Sequence, residues 1–143
     1  MQRTITRILL ALLGLYTLVQ GLWPLLDPMG FYQDFPGFRH GWVSMDGPYN
    51  VHFIIDFGGL SLALGTMLVG AAVMGTTTVA RLVSVAALLF AVPHLIYHVG
   101  HVGQFPQLDQ VLIVGGLAVT VLIPLAALLI PGRRAEVSSS ATP

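Results

Sequence analysis

Three histidines, His94, His98 and His101, recur at i, i+4 and i+7 in the stretch Pro93-His94-Leu95-Ile96-Tyr97-His98-Val99-Gly100-His101. At about 100° per residue, those spacings return the imidazoles to one helical face within roughly 60° of each other. A second pair, His52 and Asp56, stands at i, i+4 in another apolar run and shares a face in the same way. Neutral imidazole and carboxylate are the donors that zinc, iron and copper(II) accept. The same groups also make up a proton relay, or a haem site with imidazole ligation and an acid behind it. Asp56 is then an anionic ligand, or the group that orients a ligating imidazole, and Tyr49 and Tyr97 are hydrogen-bond donors behind the ligands. No catalytic signature accompanies them. His-x-x-x-His without the adjoining Glu is not the zinc-protease pattern, and no Ser stands beside a base. Cysteine is absent, which removes disulfides, thiolate nucleophiles and sulfur-ligated metals. The competing reading takes each residue as an ordinary buried polar group satisfied by a neighbour.

The elements that must position these residues are read from hydropathy. Only 8% of the 143 residues are charged and 55% are apolar, against about 25% charged in an ordinary soluble domain. Four apolar runs of about 20 residues are each long enough for a 30 Å hydrocarbon core. They predict helices over 5–26, 51–74, 79–102 and 110–131, in an all-α, integral membrane four-helix bundle that forms one domain over 1–134. Residues 135–143 read as a disordered tail. Gly59, Ala63, Gly65 and Gly70 are expected to face neighbouring helices, because small residues let backbones approach in lipid. Pro93 is expected to bend the third run just before the histidines.

Between the first two runs, residues 27–50 carry three Pro, four Gly and three Asp, which argue against a long helix. Phe31, Tyr32, Phe35, Phe38, Trp42 and Tyr49 suit the headgroup level, as a belt or as a lid over a site. Arg3, Arg7, Arg81, Arg133 and Arg134 fall on one side of the bundle and Arg39 on the other. That asymmetry places both termini in the cytoplasm of a multi-pass cell-membrane protein, with all five histidines toward the outer side. The net charge is zero, so no basic surface exists for nucleic acid.

The short connection 75–78 makes the second and third runs antiparallel neighbours. Counted from Thr77, Asp56 lies 21 residues back and His98 21 forward, with His52 and His101 at 25 and 24. Matched levels predict that His52, Asp56, His94 and His98 converge in the outer half, with His101 at the mouth.

The Gly21-x-x-Pro24 end of the first run and the Asp56-Phe57-Gly58-Gly59 opening of the second resemble the small bacterial four-helix membrane proteins of the DoxX-like group. The resemblance spans about the first two-thirds of the chain and includes none of His94, His98 and His101. It implies a four-helix membrane protein linked, in some members, to respiratory or redox partners.

Three functions compete. One is a metal- or haem-binding protein, redox-linked, with its site near the outer surface. Another is a non-enzymatic accessory or scaffold subunit whose polar face meets a membrane protein partner, a second copy or a quinone. The third, a proton-coupled transporter, lacks ionisable residues along the inner halves of the runs. Orientation is testable on a chain without native cysteine: impermeant maleimide should label Ser44→Cys from outside, and Ser139→Cys only after permeabilisation. Labelling of Ser44→Cys from the cytoplasmic side would reverse the topology.

Overall fold

The computed structural model describes residues 2–130; the tail and Arg133 and Arg134 lie outside the described residues. Four long helices, α1 (Gln2–Leu26), α3 (Val51–Met74), α4 (Thr77–His101) and α5 (Gln107–Leu129), form the bundle, and the short α2 (Pro28–Asp34) follows α1. The four long ones have the length and apolar composition of membrane spans. Expected boundaries and observed ones agree to within three residues at all eight ends; α4 starts two residues early and α5 three. α1 also starts three residues early, at Gln2.

The extra helix has a local cause. Asp27 caps α2 by accepting the Gly30 N–H through Oδ1 at 2.9 Å, and Pro28 occupies the first helical position, where no N–H is needed. Asn50 caps α3 likewise, accepting the Phe53 N–H at 3.1 Å. At the other end of α3, Gly75 takes a positive φ of 66°, which a side chain would resist. Arg7 reaches across from α1 to donate to the last-turn carbonyls of Ala72 and Val73 at 2.7 and 3.3 Å, where a cation also meets the negative end of the helix dipole. α4 continues as helix through Pro93.

α1 packs chiefly along α3, and α4 along α5. The first pair is drawn together by glycines in matching register: Gly14 lies against Gly65, and Gly21 against Gly58, seven residues on in one helix and seven back in the other. A Cβ on Gly21 would sit 2.5 Å from the Leu62 nitrogen, and one on Gly65 2.8 Å from that of Leu18. The two pairs meet in the half of the bundle near the α3–α4 turn. There Leu10, Leu13, Leu64, Leu68, Ala71, Ala80, Val83 and Ala87 form one buried cluster. Small residues at 80, 84, 87 and 91 give α4 a flat face that permits this approach.

One packing expectation needs correction. Gly65 does face a neighbouring helix, but Gly59 and Gly70 face open space, and Ala63 is exposed. The close-packed face of α3 is the one carrying Ile54, Gly58, Ser61, Gly65 and Leu68, roughly opposite on the helix wheel. Gly21→Leu and Gly65→Leu should therefore each lower stability by about 1–3 kcal/mol through overpacking, read as a lowered melting midpoint in detergent. Gly59→Leu and Gly70→Leu should leave it unchanged within error. Equal tolerance of all four would refute the packing register.

Candidate ligand-binding cavity

In the other half of the bundle, the helix pairs stand apart around a cavity of about 580 Å³. The spacing follows from side-chain size. Where α4 carried Ala80, Ala87 and Ala91, it now carries His94 and His98, and large rings hold the neighbours off. A chain of ring contacts crosses the wall: Trp23 to Phe31 at 5.9 Å, Phe31 to Phe57 at 5.8 Å, Phe57 to Phe90 at 6.3 Å, and Phe90 to His94 at 5.2 Å. His94 then stacks on His98, with centroids 4.8 Å apart and planes 28° from parallel. Each offset or edge-on contact adds about 0.5–1.5 kcal/mol beyond the area it buries.

Residues 35–50 form a roof. Trp42, Val43, Asp46, Gly47 and Pro48 all line the cavity from above. The roof folds back on α2, with the Gly41 N–H donating to the Gln33 carbonyl at 2.9 Å, and the Tyr32 hydroxyl to that of Gly47 at 3.0 Å. It is fastened to the far helix pair by a two-pronged ion pair. Arg39 donates from Nε to Asp109 Oδ1 at 2.7 Å and from Nη2 to Oδ2 at 2.9 Å, and the Trp42 indole N–H adds a third bond to Oδ1 at 3.1 Å. The Asp109 side chain is only 6% exposed. It sits in the first turn of α5, where a carboxylate also meets the positive end of the helix dipole. The same contacts raise the Arg39 pKa above its already high ordinary value, so the cation persists at any pH the fold meets. A second clip runs from Gln104 Nε2 to Asp46 Oδ1 at 3.1 Å.

The five histidine and carboxylate candidates separate into two groups. His94 and His98 line the cavity together. His52 and Asp56 lie on the opposite, outward face of α3, 85% and 65% exposed, and pair with each other at 3.2 Å from Nε2 to Oδ2. They do not join His94 and His98. His101 is exposed, its Nδ1 2.7 Å from the Tyr97 carbonyl and its ring stacked on Tyr97 at 4.2 Å. Tyr97 lines the cavity and meets His98 edge-on, whereas Tyr49 packs against Tyr32 at 5.1 Å, away from the histidines. Among the described residues no group of three or more His, Asp or Glu is placed to share a metal ion. What the cavity offers is two imidazoles held by ring contacts but without a hydrogen bond among the described residues. His98 Nδ1 is buried without a hydrogen-bond partner, and His94 has none among the described residues. Neither tautomer is therefore fixed, and each ring can donate or accept as a ligand requires.

The histidine spacing does not point to several other lining residues: Gln20 and Tyr16, at i, i+4 on α1 and joined at 2.8 Å, together with Phe53, Asp46 and Trp42. The sequence did hold a clue to the roof clip. A lone Arg in an aromatic loop and an Asp opening an apolar helix both need partners near lipid. No family model, curated protein or solved structure matches this chain.

Arg39→Gln and Asp109→Asn should each free the roof. Limited proteolysis should then cut within 35–50 several times faster, while circular dichroism keeps its helical signal. Unchanged cleavage would mean that the loop is held by its aromatic contacts alone.

Proposed function

We propose that this protein binds a small, flat, ring-bearing molecule in the roofed half of its membrane bundle, acting as a binding or accessory protein in the cell membrane. One observation carries the reading: a cavity of about 580 Å³ walled by rings and holding two imidazoles without hydrogen-bond partners among the described residues. Ligand sites are typically concave, mostly apolar pockets of about 300–1,000 Å³ with a few convergent polar groups. The aromatic wall supplies flat contact area, and His94 and His98 supply hydrogen bonds whose direction the ligand sets. Zinc, iron, copper or haem is not needed for this role. An absorbance scan and metal analysis of the purified protein test that point separately.

The test uses Trp42, which lines the cavity, as reporter in a Trp23→Phe background. 1,4-Naphthoquinone, a planar probe with two acceptor oxygens, should quench Trp42 saturably. Losing one hydrogen bond, worth about 1 kcal/mol, should weaken binding about fivefold in His98→Leu, and His52→Ala should not change it. Absence of saturable quenching, or equal loss in both variants, would refute the reading.

A further inference from the structure

We infer that the ligand is an amphiphile already dissolved in the bilayer, a flat uncharged head with an apolar chain, and that it enters sideways between α3 and α4. This rests on the reading of the cavity as a ligand site. Two boundaries of that cavity differ in kind. Toward water it is closed by the roof, which the Arg39–Asp109 fork, the Trp42 indole and the Gln104–Asp46 bond hold to the helix ends. Entry from that side has to break a doubly bonded charge pair whose carboxylate is buried. Toward lipid the wall between α3 and α4 is made of exposed rings. Phe57 and Phe90 touch at 6.3 Å and form its sill. Outward of it, Phe53, one turn along α3, and Tyr97, two turns along α4, both line the cavity and yet are 68% and 46% exposed. Phe53 makes no ring contact with any described residue, so it can swing without losing a partner.

The chemistry of the lining selects the head. Asp46 is its only formally charged side chain, and no Arg is present, so an anionic headgroup such as a phosphate meets repulsion rather than a partner. A ring with carbonyl or hydroxyl groups at its edge suits His94 and His98. Beside these rings, exposed Leu60 and Ile96 offer apolar surface for a chain, with exposed Asp56 one turn from Leu60, and a chain needs no polar partner in lipid.

The experiment compares 1,4-naphthoquinone with a derivative bearing a decyl chain that ends in a photoreactive diazirine, in phosphatidylcholine nanodiscs. Illumination should label peptides of α3 and α4 around Leu60 and Ile96, and excess 1,4-naphthoquinone should abolish that labelling. Phe53→Ala should speed Trp42 quenching by the chain-bearing probe severalfold, and Gln104→Ala, which loosens the roof at Asp46 away from Trp42, should leave that rate unchanged. Labelling within 35–50, or a rate raised by Gln104→Ala and not by Phe53→Ala, would overturn lateral entry while leaving the cavity reading intact. Failure of both compounds to quench Trp42 would overturn the two together.

Discussion

The two-pronged pair between Arg39 and Asp109 is the constraint on which the roofed half depends. A carboxylate in the first turn of an apolar helix needs a partner, because an unpaired charge there costs several kcal/mol in a low-dielectric setting. Arg39 supplies the planar fork that fits both carboxylate oxygens, a geometry Lys cannot reproduce. The pair joins residues 70 positions apart, and so ties the loop after α1 to the start of α5. With that tie made, Trp42 is held over the cavity, its ring edge-on to Phe35 and Phe38 and its N–H on Asp109.

Below the roof, one bundle has two packing regimes set by side-chain size. Near the α3–α4 turn, glycine and alanine faces let the helix pairs meet closely, and dispersion contacts replace lipid contacts. In the other half, phenylalanines and histidines on the same faces act as spacers. The cavity is thus a consequence of composition along α4: the stripe that carries alanine at 80, 87 and 91 carries histidine at 94 and 98. The cost is two imidazoles without hydrogen-bond partners among the described residues, which a well-packed interior would avoid. Such an exception is characteristic of a binding site.

Helix number and length were legible because four apolar runs of membrane-spanning length admit no other arrangement of backbone hydrogen bonds in lipid. The pairing of His94 with His98 was legible from i, i+4 spacing. Azimuth was not. Levels counted from a turn say how deep His52 and Asp56 lie, but not which way they point. The glycine register with α1 decides that: Ile54, Gly58 and Gly65 turn inward, and His52 and Asp56 point roughly 160–200° away from Ile54. The convergence expected of four ligands failed for this reason. The roof left no periodic trace either. α2 begins at Asp27-Pro28, within the stretch whose Pro and Gly argue against a long helix, although that dipeptide caps and starts a short one. Arg39 and Asp109 lie in irregular or helix-initiating segments whose pairing no local pattern encodes.

The central claim is that the roofed cavity holds a small molecule in the native membrane. Native mass spectrometry of protein released gently from its own membrane tests it most directly, with Gly116→Phe as the control. Gly116 lines the cavity, and a Cβ there meets nothing within 4 Å, so a phenyl ring fills ligand space without disturbing the bundle. The account predicts a small-molecule adduct on the wild-type chain that is absent from Gly116→Phe, at equal thermal stability. An adduct retained in full by that variant would contradict it.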